Sequence, residues 1–219
     1  MAFSLPGTVR TSEKTPLMSV LLQGPAASGK TAVAAKVAVE SGFPFVRLIS
    51  ADDLIGYSDM AKCSYIHQAF IDSYKSPLSL IFIDDLERII DYVAIGPRFS
   101  NVVLQTLLVL LKKVPPNDGR RLLIVGTTSC PHLLQDLGLV AAFGVHQGTA
   151  LLEDPQQVAE VLCVAAQLTK GDAEAISRAI TKPIGIKSLL MVAEMAKQGS
   201  QEGAVDVNVF LECLHTVGY

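Results

Sequence analysis

Short apolar runs alternate with amphipathic stretches along the first two thirds of the chain. "LMSVLLQG" (17–24) is apolar and bounded by turn residues, which predicts a buried strand rather than a helix of that length. "SGKTAVAAKVAVESG" (28–42) is rich in Ala, carries apolar residues at helical spacing and ends at Gly42, so it predicts a helix. The alternation continues with a strand at 44–50, a helix at 60–75 and a strand at 78–84. A helix follows from Ser100 to Val114, stopped by Pro115 and Pro116, and then a strand at 120–129. A fifth, weaker strand is expected between Val145 and Leu152.

Strands alternating with helices of this length predict an α/β fold: a parallel five-stranded sheet with helices on both faces. The pattern changes after Asp154. Segments 154–169, 171–181, 184–197 and 205–215 all read as helices, the first opened by Asp154 as N-cap and Pro155 in the first turn. The expected organisation is therefore a lead-in over 1–16, an α/β core over 17–153 and a small all-helical lid over 154–219. The lead-in contains Pro6, Gly7 and several hydroxyl residues without periodicity, which predicts a mobile, frayed start. Its one Arg and absence of acids in the first dozen residues leave a targeting peptide as the minor alternative. "QGSQEG" (198–203) predicts a flexible turn ahead of the last helix.

Composition narrows the classes. Half of the 219 residues are apolar, enough for a sizeable core. The net charge of −3 supplies no excess of cations to neutralise a phosphate backbone, which argues against nucleic acid as the main partner. Cys63, Cys130, Cys163 and Cys213 are far apart with no C-x-x-C pair, pointing away from zinc and disulfide frameworks and towards a reducing, cytoplasmic compartment. The longest apolar stretches are too short to span a bilayer, so contact with membranes is peripheral at most. His67, His132, His146 and His215 have no neighbours of a metal or triad pattern.

"GPAASGKT", comprising Gly24, Pro25, Ala26, Ala27, Ser28, Gly29, Lys30 and Thr31, matches G-x-x-x-x-G-K-[ST] between a predicted strand and a predicted helix. In that context the glycines let the backbone curl around phosphate oxygens, and the N–H groups and helix N-terminus offer positive potential. Lys30 is placed to reach β and γ phosphates, and Thr31 to ligate magnesium. The strand at 78–84 ends in Asp84 and Asp85, which makes Asp84 the metal-side acid, acting largely through water. "DDLERIID" also suits an acidic helix N-terminus favoured by the helix dipole, and the two roles are compatible.

With both motifs in place, the sequence resembles the AAA+ ATPases, a P-loop NTPase family, and within them the second ATPase domain of the vesicle-fusing ATPases. "TPLMSVLLQGPAASGKTAVAAK", "IGYSDMAKC", "IDDLERIIDYVAIGPRFSNVVLQTLLVLLKK", "LLIVGTTS" and "PIGIKSLLMVAEM" carry the resemblance, and "DYVAIGPRFSN" is specific well beyond a generic phosphate loop. The resemblance implies a Rossmann-like core with a helical lid, ATP and Mg²⁺ as ligands, and assembly as a homo-hexamer. It further implies a ring that disassembles SNARE complexes with an adaptor protein, reached through domains of a longer parent chain. In that family the second domain binds ATP chiefly to hold the ring together. By position, Lys187 resembles the lid's sensor-2 residue, and Ser129 stands where sensor-1 asparagine is expected.

Three departures qualify what the chain does with ATP. Efficient hydrolysis draws on a water-polarising acid, an orienting polar group and an arginine that stabilises charge on the transferring phosphoryl group, the arginine contributing about 10³ or more in rate. Here Asp85 is shorter than glutamate by roughly 1.5 Å, Ser129 is shorter than asparagine, and no Arg or Lys lies between Arg121 and Lys170, where the family places its trans-acting fingers. Arg98 is the alternative cation. Slow turnover is thus expected, with Asp85 and Ser129 in the catalytic positions. The pore-loop stretch reads "LIGY", with Leu54 in the aromatic position and Tyr57 after Gly56, which predicts no direct grip on a threaded polypeptide. The lead-in replaces only part of the family's adenine-enclosing linker. Two other classes share the phosphate loop: a small-molecule kinase, which needs an arginine-bearing lid, and a DNA-associated AAA+ subunit, which the acidic charge disfavours.

Overall fold

A computed structural model describes residues 5–11, 15–96, 98–116, 119–199 and 206–219. The expected flexible turn over 198–203 lies mostly outside the described residues. The chain divides into two compact units, one of residues 1–24 and 30–149, the other of residues 25–29 and 150–219.

The first unit is built on strands β1 (Leu17–Gln23), β2 (Phe45–Ile49), β3 (Leu78–Ile83), β4 (Arg121–Thr128) and β5 (Val145–Gly148). They form one sheet in the order β2-β3-β4-β1-β5, with every pair parallel. The central strands are continuous apolar runs because both faces are covered. Val20, Leu22, Leu80, Phe82, Leu123 and Val125 face one side, where they pack with Ala34, Val37 and Ala38 of α2 (Lys30–Glu40). Leu21, Ile81, Ile83, Leu122 and Ile124 face the other, against Ile66 and Phe70 of α3 (Asp59–Ser73) and Leu104 and Leu107 of α5 (Asn101–Leu110). Two short helices, α4 (Leu86–Ile89) and α6 (Pro131–Asp136), follow β3 and β4.

Register fixes where chemistry can occur. Gln23 is level with Thr128, and Ile83 with Gly126, so β4 runs two residues past the end of β3. Thr127 and Thr128 therefore stand beside the turn that leaves β3, at the carboxyl rim of the sheet. Ligands of open α/β sheets bind at that rim.

Part of the lead-in departs from expectation. Leu5–Thr11 forms a helix, α1, with Val9 fully buried. Arg121, the first residue of β4, donates to the carbonyls of Val9 and Arg10. Arg10 in turn donates to the carbonyl of Ser41 at 2.6 Å, with its guanidinium 5.7 Å above the Phe43 ring. These tertiary contacts order a segment whose Pro and Gly give it little helical propensity of its own. Residues 1–4 and 12–14 of the lead-in lie outside the described residues. Elsewhere β5 stops at Gly148 and α5 at Leu110, each about four residues short of the expected end. The α5 end tightens into turns, with Lys112 and Lys113 donating to Val109 and Leu110, before the prolines are reached.

The second unit packs α7 (Pro155–Ala165), α8 (Lys170–Ala179), α9 (Ile186–Gly199) and α10 (Val207–Thr216) around Leu162, Ile176, Leu189, Val192 and Phe210. Side-chain oxygens of Asp154, Thr169 and Asp206 accept from backbone N–H groups in the first turns of α7, α8 and α10. Leu152 and Ile184 exchange two backbone hydrogen bonds, of 2.9 and 3.0 Å.

Candidate nucleotide site

The phosphate loop joins the end of β1 to the start of α2. Gly24 donates its N–H to the Thr128 carbonyl at 3.2 Å, and a Cβ on Gly24 would lie 2.2 Å from the Thr149 carbonyl oxygen, so only glycine fits. Ala27 (φ 62°) and Gly29 (φ 88°) are left-handed and curl the backbone between them. The Ser28 hydroxyl donates to the Pro25 carbonyl at 2.8 Å. Lys30 opens α2 and is only 5% exposed, its Nζ donating to the Gly24 carbonyl at 3.0 Å. Burial pushes the Lys30 ammonium below its ordinary pKa, and the charges of Asp85, Glu87 and Asp84 partly oppose that shift. A polyanion brought to the loop would favour the charged form further.

Asp84 and Asp85 leave the end of β3. Asp84 Oδ1 accepts from the Thr31 hydroxyl at 3.0 Å and from the Thr127 hydroxyl at 2.6 Å. The Thr127 oxygen accepts from the Asp85 N–H at 2.8 Å. Asp85 itself is left-handed (φ 51°, ψ 66°), and its carboxylate lies 3.5 Å from Nε of Arg88. Burial, and then the charges of Asp84 and Glu87, raise the Asp85 pKa, while Arg88 and Lys30 oppose the rise. The Thr31 hydroxyl and Asp84 carboxylate are hard oxygen donors side by side, a set that fits Mg²⁺ held jointly with nucleotide phosphates. Among the described residues no three His, Cys, Asp or Glu side chains converge into an all-protein cage.

The fold thus brings Gly24, Lys30, Thr31, Asp84, Asp85 and Ser129 together in the α/β unit. Pro25, Ala26, Ala27, Ser28 and Gly29 belong by proximity to the helical unit, where the Lys187 N–H donates to the Ala27 carbonyl at 3.2 Å. Gly185 permits that approach, since a Cβ there would lie 2.8 Å from Ala27 Cβ. The Lys187 side chain is exposed. Leu54 is 2% exposed and belongs to the core, while Tyr57 stands edge-on to Tyr65 at 6.1 Å. Arg98 is exposed on a hairpin closed by its backbone pairing with Val93.

Sequence reasoning missed Thr127 and Thr128 at the rim, and it missed Glu87. Its carboxylate accepts from the Thr128 hydroxyl at 2.8 Å and from the Ser129 N–H at 2.9 Å. The only available signal was its place one helical turn beyond Asp84 in "DDLER".

Site and fold together define a P-loop ATPase core, and the chain belongs to the ATPase family associated with various cellular activities (AAA), whose family model matches residues 20–148. More particularly, it is 43% identical over 206 residues to a vesicle-fusing ATPase of Dictyostelium discoideum, an alignment covering 94% of this chain and 27% of that protein. It is 40% identical over 218 residues to a vesicle-fusing ATPase of Arabidopsis thaliana, covering 94% of this chain and 29% of the relative. With the vesicular-fusion protein SEC18 of Saccharomyces cerevisiae it shares 55% identity over 135 residues, 62% of this chain and 18% of that one. The chain spans less than a third of the length of these relatives.

Proposed function

We propose that this chain is an ATP-binding AAA+ module of a vesicle-fusing ATPase, and that it holds Mg²⁺-ATP mainly as a structural ligand. In this reading the loop from Gly24 to Thr31 cradles the phosphates with Lys30, Thr31 and Asp84 hold the metal, and Lys187 contributes from the lid. Bound Mg²⁺ would supply charge neutralisation to the phosphates. The bound nucleotide stabilises a homo-hexameric ring by mass action. That ring acts on SNARE complexes and their adaptor protein through other parts of a longer chain, in the cytoplasm, where four free thiols remain reduced.

The observation that carries the proposal is an asymmetry within one turn. The binding acid, Asp84, is joined to Thr31 and Thr127, whereas the acid in the catalytic position, Asp85, is a short side chain drawn towards Arg88. Binding is equipped and hydrolysis is not, so turnover is slow, with Asp85 and Ser129 contributing what polarisation there is. Sedimentation velocity tests the assembly claim. Wild-type chain should gain mass on addition of Mg²⁺-ATP and Lys30→Ala should not; identical sedimentation of both proteins in all conditions would remove the proposal.

A further inference from the structure

The carboxyl rim of the sheet is stitched by two threonines in sequence, each bonded to a different acid. Thr127 ties β4 to Asp84 and Asp85. Thr128 ties it to Glu87, donating its hydroxyl to Oε2 and accepting from the Cys130 N–H at 3.0 Å. The other Glu87 oxygen receives the Ser129 N–H, and the Thr128 carbonyl receives the N–H of Gly24. The Glu87 carboxylate therefore joins the turn after β3 to the segment 128–130, and that segment in turn holds the first residue of the phosphate loop through the Thr128 carbonyl.

Both threonines are fully buried. A hydroxyl and an amide bonded to an ionised carboxylate form short, charge-assisted links, stronger than neutral ones. Removal of the carboxylate would leave the Thr128 hydroxyl and the Ser129 amide seeking partners at the rim, with the segment 128–130 free to shift. The Thr128 carbonyl holds the Gly24 N–H and the Gly24 carbonyl holds Lys30 Nζ, so the held segment adjoins the residue that anchors Lys30, the side chain placed to meet the outer phosphates.

We propose that Glu87 is a positioning residue: by gripping Thr128 and Ser129 it fixes the segment that contacts the terminal phosphate, so that the site distinguishes ATP from ADP. The proposal rests on the ATP-binding reading above and adds to it a residue that acts through Thr128 and Ser129. Asp84 and Thr31 meet the metal side, and Glu87 sets the geometry of the opposite side, through Ser129. Glutamine in its place keeps one acceptor oxygen for the Ser129 N–H but loses the charge and the second acceptor.

Equilibrium titration of the wild-type chain, Glu87→Ala and Glu87→Gln with Mg²⁺-ATP and Mg²⁺-ADP tests this directly. Wild type should prefer ATP. Glu87→Ala should lose about tenfold in ATP affinity while its ADP affinity moves less than about threefold, and Glu87→Gln should recover part of the loss. Thr128→Val, which removes the hydroxyl and keeps the charge, should lose less than Glu87→Ala, and the Glu87→Gln/Thr128→Val double variant should fall short of the summed single effects. Equal losses for ATP and ADP, or no loss for ATP, would overturn the positioning role. Wild-type chain that binds both nucleotides equally would overturn it as well. Failure of the wild type to bind either nucleotide would instead overturn the ATP-binding reading. Should Glu87→Ala fail to fold, the additivity of Glu87→Gln and Thr128→Val decides, since independent effects exclude a shared grip.

Discussion

Tyr74 caps the C-terminal end of α3 and is 6% exposed, with its hydroxyl, alone among buried side-chain polar atoms of the described residues, without a hydrogen-bond partner. Burying an unpaired hydroxyl costs about 1–3 kcal/mol, part of which is recovered when the oxygen is removed without change of shape. Tyr74→Phe should therefore raise stability by about 1 kcal/mol, or about 2–4 °C in Tm for a chain of this size. Burial also raises the Tyr74 pKa above its ordinary 10.0. A raised pKa gives stability that is complete below the unfolded value and is lost as pH climbs through the folded one. The advantage of the phenylalanine variant should thus widen above about pH 10. Thermal melts across that range check both parts: a less stable variant, or an advantage that stays flat with pH, would contradict them. The same logic of partners applies at the nucleotide rim, where every acid has found a threonine or an arginine.

Ser100 shows how one side chain serves two elements. It caps α5 by accepting from the Val103 N–H, and its hydroxyl donates at 2.6 Å to Asp59, the first residue of α3. Ser100→Ala should cost about 1–2 kcal/mol in denaturant unfolding, whereas Ser100→Thr, which keeps the cap, should cost less than half of that. Equal losses for both variants would point to packing rather than capping. Such links explain what the sequence pattern revealed and what it concealed. The central strands were visible because burial on both faces leaves continuous apolar runs, and α2, α3 and α7 to α10 were visible because each is long enough for its spacing to repeat. Helices α4 and α6, of four and six residues, complete too few turns for a period to register. Helix α1 depends on Arg121 from more than a hundred positions away, and β5 is exposed along its length and, among the described residues, paired with β1 alone. At the site, Lys30, Thr31 and Asp84 lay within local motifs. The partners Thr127, Thr128 and Glu87 did not, since each of those bonds spans about forty residues or more and appears only once the register of β3 against β4 is known.

The whole molecule pairs a covered parallel sheet with a separate helical core, each with its own apolar interior. Family membership implies nucleotide binding, and the proposal assigns that role to the polar side chains at the carboxyl rim of the sheet. A ligand bound only by the native state adds about 2.7 kcal/mol at a hundred times its dissociation constant, a large fraction of the stability of a typical domain. An ATP site can therefore serve as a clamp without turning over. The most direct test measures equilibrium binding of Mg²⁺-ATP and single-turnover release of phosphate on the same preparation. Tight binding with phosphate release far slower than the 1 s⁻¹ or so at the low end of ordinary enzymes is the predicted result. Rapid release after tight binding would contradict the account, and would direct attention to Arg98 as the cation that replaces the arginine missing between Arg121 and Lys170.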